Sequence, residues 1–238
     1  MRISLRRFNS SFGSPRSNMT NKINRIADAV NIIERKIVPA DSRQTLWSAD
    51  KIRFDVKDVP RQGIYVPTNI RGTVELFDDI YTSGHLPEEE IDAAVLGSGL
   101  GAFTMPFSIY CEHLNLSRYF VTGFELNKHL ADASSMIAKS LRISSIRHIN
   151  MDFTELIRED FKHFNFIYIF KPFNRDFIDI MDNIYPRITP GSLLLTRHCP
   201  REGVLRSGLF KLIYKPLEEY YGSEYHLYQR TNAEIVLH

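Results

Sequence analysis

The sequence predicts an α/β fold, a mostly parallel sheet with helices on both faces and an antiparallel pair at the C-terminal end. Three observations carry this. From Ile91 onward, short apolar runs of strand length alternate with segments of helical periodicity. One of those runs, FNFIYIF, is apolar almost throughout, as expected of a central strand covered on both faces. The stretch AAVLGSGLGAFTMPFS sets Gly97, Gly99 and Gly101 between the first strong strand and a helix, where ligands of such sheets bind.

The elements follow in order. Residues 1–19 read as a flexible basic segment, with Ser10, Ser11, Gly13, Ser14 and Pro15 close together. A helical extension spans 20–84. Its first helix is capped by Thr20 and carries Ile23, Ile26, Ala27, Val30, Ile33 and Ile37 on one side. SRQTLWSADKI suggests a short helix around Trp47, and Thr68 is the expected cap of a helix running to about Tyr81. The sheet domain, 85–238, is expected to place strands near 93–96, 120–124, 146–149, 166–170 and 193–195. Two aromatic-rich stretches around Gly222-Ser223 supply the antiparallel pair, and EIVLH is a further extended stretch.

Composition narrows the function classes without choosing one. The 238 residues carry 30 basic and 28 acidic groups, a net charge of +2 that points to no particular partner. Nucleic acid and small molecules stay open as substrates. Cys111 and Cys199 form neither a disulfide framework nor a metal cluster, and the eight histidines show no HExxH spacing, so no metal is expected. No apolar run approaches the roughly 18 residues needed to cross a bilayer. The chain is therefore expected to be soluble and cytoplasmic. The first 27 residues hold six basic residues, five serines and no acid, a composition that also suits a mitochondrial targeting segment. Oligomeric state is not legible.

The chemistry gathers at the strand ends. Glycines let the backbone turn sharply and a ligand approach closely, and the helix beyond offers unpaired amides. Gly97, Ser98, Gly99 and Gly101 are accordingly candidate cofactor-binding residues. Gly97, Gly99 and Ala102 also satisfy the dinucleotide form G-x-G-x-x-A, whereas no Gly-Lys-Ser or Gly-Lys-Thr follows. Glu125 ends the second strand, 28 residues after Gly97, where a carboxylate can accept from two ribose hydroxyls. Asp152 ends the third and can accept from an adenine amino group, with Met151 or Phe153 against the ring; capping the next helix is its rival role. Phe170, Lys171, Pro172 and Phe173 end the fourth strand, where they can wall the same crevice or simply close a loop over the sheet. Arg197 and His198 follow the fifth, where loop structure is the simpler account.

In this order, VLGSGLG, GFELN, NMDF and IYIFKPF resemble the stations of class I S-adenosylmethionine-dependent methyltransferases, and PRITPGSLLL resembles that family's turn into strand five. The resemblance spans about 65–195. It implies a Rossmann-like seven-strand methyltransferase sheet, S-adenosyl-L-methionine as cofactor, and Glu125 and Asp152 as its ribose and adenine acids. IYVPT ahead of a helix is further similar to small protein-lysine methyltransferases related to the mitochondrial enzymes acting on ATP synthase and translocase subunits. That likeness implies Tyr65, Pro67 and Thr68 near the methionine part of the cofactor and a protein lysine amine as acceptor. Tyr65, Phe170 and Phe173 would then form an apolar mouth that favours a neutral amine.

Two departures stand out. The family carries an acid two places before its first glycine, where this chain has Val95, and the amide-and-proline tetrad of adenine and glutamine methyltransferases is replaced by Phe170-Lys171-Pro172-Phe173. Two other readings stay open. One is a nicotinamide-dependent, NAD(P)-binding oxidoreductase, for which only the adjacent pair Tyr214-Lys215 offers a tyrosine and lysine. The other is a cofactor-binding but inactive structural or RNA-associated protein.

Overall fold

The computed structural model describes residues 15–37, 69–170, 177–199, 201–215 and 224–233. The strands are β1 (Glu90–Leu96), β2 (Arg118–Glu125), β3 (Ile146–Asn150), β4 (Phe166–Phe170), β5 (Leu193–Arg197), β6 (Phe210–Tyr214) and β7 (Tyr225–Arg230). They form one sheet in the order β3-β2-β1-β4-β5-β7-β6. The first five are parallel, and β7 inserts between β5 and β6, antiparallel to both. Of the expected antiparallel pair, then, only β7 reverses the sheet. EIVLH and the segment around Trp47 lie outside the described residues.

Helices cover both faces. On one lie α1 (Pro15–Ile37), α2 (Ile70–Thr82), α3 (Thr104–His113) and α4 (Lys128–Ser140); on the other lie the short α5 (Arg158–Phe161), α6 (Phe177–Ile184) and α7 (Arg201–Arg206). The alternation of β4 explains the division. Phe166 and Tyr168 join the first core, with Phe77 of α2 and Phe107 of α3, while Ile167 and Ile169 join the second, with Met181 of α6 and Val204 of α7.

α3 is buried at every position from Thr104 to Cys111, which an amphipathic surface helix would not be. The cause is α1. Ile23, Ile26 and Val30 pack on Met105 and Ile109 of α3, so α3 lies between α1 and the sheet. α1 begins at Pro15 and not at a Thr20 cap; proline suits a first helical position, where its missing N–H costs nothing. The next cap also moves. Thr68 is outside the described residues, and Asn69 caps α2 by accepting from the Gly72 N–H at 3.1 Å. Pro106 falls in the first turn of α3, as its chemistry requires. Among the described residues no helix is long and apolar enough to cross a membrane.

Candidate active site

The loop 97–103 runs from β1 to α3 across the carboxyl end of the sheet. Gly97 and Gly99 take φ of +77° and +54°, which bulky residues avoid. The Gly97 and Ser98 N–H groups both donate to the Phe124 carbonyl at 2.9 Å, tying the loop to β2. A side chain on Gly97 would meet none of the described residues within 4 Å. Leu100 and Ala102 turn the other way, into the apolar cluster under α1, and Phe103 stacks on Tyr168 of β4 at 3.6 Å. The loop is thus held apolar side down, and the N–H groups of Gly97, Ser98, Gly99 and Gly101 are all bonded within the protein, to Phe124, Glu125 and Ser98.

Beneath it lies a residue that the sequence reading left unassigned, His148. The register sets Val95, Gly123 and His148 side by side across β1, β2 and β3. His148 Nε2 is 2.8 Å from the Thr104 hydroxyl at the start of α3. A Cβ on Gly101 would come within 2.9 Å of that ring, and one on Gly123 would come within 2.7 Å of Ser98 Cβ and 2.8 Å of His148 Cδ2. Glycine at both positions is what lets the loop settle onto β2 and the imidazole. Burial lowers the His148 pKa from 6.5 to about 4, so the ring is neutral at pH 7. Among the described residues the buried Ser98 hydroxyl has no hydrogen-bond partner.

Glu125, at the tip of β2, closes the cradle. One carboxylate oxygen accepts from the Gly99 N–H at 2.7 Å and the other from the Asn127 N–H at 2.9 Å. Asn127 in turn caps α4, accepting from His129 and Leu130. Burial raises the Glu125 pKa, and the N–H groups of Asn127, Gly99 and Leu126 pull it back. Between the two lies Leu126, 40% exposed, an apolar surface beside a carboxylate that the sequence reading also missed. Asn150 donates to the carbonyls of Glu125 and Leu126, fixing the ends of β2 and β3 together.

The remaining candidates divide. Asp152 caps the 3-10 turn Phe153–Glu155, its Oδ1 accepting from the N–H and hydroxyl of Thr154, so its capping role is realised. Its Oδ2 makes no hydrogen bond with the described residues. Phe153 packs partly on the second core, beside Met151. Phe170 lies at the end of β4 under the Arg197 guanidinium, 4.8 Å from its ring centre, and Arg197 also faces Tyr225 at 5.8 Å. Arg197, buried to 7% exposure, therefore belongs to the crevice wall more than its sequence context suggested. Val95, where the resemblance leads to the expectation of an acid, is wholly buried in the first core. Tyr65, Thr68, Lys171, Pro172 and Phe173 lie outside the described residues. Among the described residues no three His, Cys, Asp or Glu side chains converge to hold a metal.

The strand order, the single reversed strand and the helices on both faces define the Rossmann-like methyltransferase fold. Solved structures share it at low identity. An RNA methyltransferase from Salinibacter ruber, in complex with S-adenosyl-L-homocysteine, is 14% identical with a TM-score of 0.51, covering 72% of this chain and 98% of that one. A mutant of MtNAS in complex with S-adenosylmethionine is 12% identical with a TM-score of 0.54, covering 91% of this chain and 74% of that one. No protein-family model and no curated protein sequence matches.

Proposed function

We propose that this chain binds S-adenosyl-L-methionine across the carboxyl ends of β1 to β4 and transfers its methyl group to a protein lysine amine. One observation carries the cofactor reading: the Glu125 carboxylate stands 2.7 Å from the Gly99 N–H, joining the glycine loop to the tip of β2. Each carboxylate oxygen holds one backbone N–H and keeps a second lone pair, which suits a pair of ribose hydroxyls. Gly97, Ser98, Gly99 and Gly101 form the wall beside it, with Leu126, Asp152 and Phe153 along the adenine side and Thr68 assigned by resemblance to the methionine side. The complexes of the two solved relatives support the same ligand class.

The cofactor supplies an electrophilic methyl carbon on a sulfonium. The protein's task is to hold a nucleophile in line with it, and positioning of this kind provides much of the rate. An amine must arrive without its proton. Phe170, with Tyr65 and Phe173 by resemblance, offers an apolar mouth that disfavours the ammonium form, and the fixed charge of Arg197 against Phe170 disfavours it further. The amine's proton leaves to water.

Incubation with methyl-labelled S-adenosylmethionine and a cell extract tests the reaction. Label that protease removes and nuclease leaves, and that acid hydrolysis recovers as methyl-lysine, supports the lysine reading. Label that only nuclease removes replaces the acceptor, and no label in any fraction replaces the reaction.

A further inference from the structure

At the outer edge of the sheet, away from the strand tips that hold Glu125, a groove of about 480 Å³ lies between the last turn of α4 and β3. Its floor is apolar, with Ile143 and Ile146, and its rim carries Lys139, Arg142, Arg147 and the Ser144 hydroxyl. No acid lines it. The three cations are exposed, and among the described residues none is ion-paired to a carboxylate. Elsewhere Lys22, Lys128, Lys162 and Arg206 each have such a partner. The acid whose field reaches Arg147 is Asp92, part-buried on β1 and shared with Arg118 and His163. β3 pairs on one side only, so its outer edge adds backbone donors that no ladder uses.

Three cations over an apolar floor in a concave site suit a ligand that alternates phosphates with flat, weakly polar faces. A lipid surface would call for a protruding apolar contact, and a single phosphorylated side chain would engage the cations but leave the apolar floor of Ile143 and Ile146 without a partner. We propose that this groove binds a segment of single-stranded nucleic acid, its phosphates on Lys139, Arg142 and Arg147 and a base over Ile143 and Ile146. The groove also touches His148, the residue under the glycine loop, and the proposal does not depend on which acceptor the crevice takes.

Fluorescence anisotropy of the full chain with a short labelled single-stranded RNA of mixed sequence, from about 50 to 200 mM salt, tests this. Replacing all three residues (Lys139→Gln, Arg142→Gln, Arg147→Gln) should weaken binding at least about tenfold. Each phosphate contact contributes about 0.7 to the slope of log affinity against log salt, so that slope should fall by about 2. A second triple variant, Lys162→Gln, Arg206→Gln and Lys211→Gln, removes the same charge from other exposed positions and should bind as the parent does. All six side chains are exposed, and matching thermal melts confirm that neither variant has lost its fold. The proposal is overturned if the parent does not bind RNA, if both variants lose affinity alike, or if the groove variant binds as the parent does. Tighter, groove-dependent binding of anionic vesicles or of a phosphopeptide would also overturn it.

Discussion

Acid should loosen the floor of the glycine loop, and His148 sets the size of the effect. In the unfolded chain its imidazole titrates at the ordinary 6.5; in the folded protein burial holds it at about 4. Above pH 6.5 the ring is neutral in both states and contributes nothing to pH dependence. Below it the unfolded state takes up a proton that the folded state refuses, so stability falls as pH drops from 6.5 to about 4 and then levels. The span corresponds to about 3 kcal/mol at most, with about 2 kcal/mol already lost at pH 5. Carboxylates titrate in the same window, so the informative quantity is a difference between two proteins. His148→Gln keeps a group able to meet the Thr104 hydroxyl and removes the titration. Denaturant unfolding of parent and variant at pH 7 and pH 4 should show the parent losing about 3 kcal/mol more than the variant. Equal losses would mean that the ring is not buried under the loop, and the account of the loop's support would fail.

Gly123→Ala should disturb the same place from the strand side: its Cβ would meet Ser98 Cβ at 2.7 Å and His148 Cδ2 at 2.8 Å. Overpacking of this kind costs about 1–3 kcal/mol, seen as a lower melting temperature together with weaker S-adenosylhomocysteine binding; a stable variant with unchanged affinity would contradict the packing. Ile26→Ala removes a wholly buried side chain that joins α1 to the loop's underside and should cost about 2–4 kcal/mol in a denaturant melt. A loss below about 0.5 kcal/mol would mark α1 as a loosely attached appendage. Asn69→Ala deletes the α2 cap and should cost about 1 kcal/mol, with Asn69→Asp close to the parent. Cofactor affinity should rise with pH through the raised Glu125 pKa, because the ribose hydroxyls need an ionised acceptor; a flat profile from pH 4 to neutrality would show that Glu125 is not that acceptor.

The sheet was legible because its strands are short, apolar and punctuated: the extent of β4 read from FNFIYIF agrees with the observed Phe166–Phe170. The glycine loop and Glu125 were legible for a related reason, since topology alone brings the ends of adjacent parallel strands together. His148 was not, because only the register across three strands places it beneath Gly101 and beside Gly123. A signal did exist at Gly123, as glycine inside a strand marks a close approach, but the sequence does not name the partner. The helix starts slipped for local reasons. Thr20 has the right chemistry for a cap, yet the helix continues back to Pro15, and Asn69 takes the role expected of its neighbour Thr68. Arg197 could not be weighed from one dimension, since its aromatic neighbours Phe170 and Tyr225 come from strands on either side of β5.

Calorimetric titration of the full chain and of Glu125→Ala with S-adenosylmethionine, S-adenosylhomocysteine and NAD bears most directly on the crevice. The parent should bind the first two and not NAD, and loss of the carboxylate should weaken binding about 10- to 100-fold, as removal of hydrogen bonds to a charged group does. Binding of NAD in their place, or equal affinity with and without Glu125, would contradict the reading of this site.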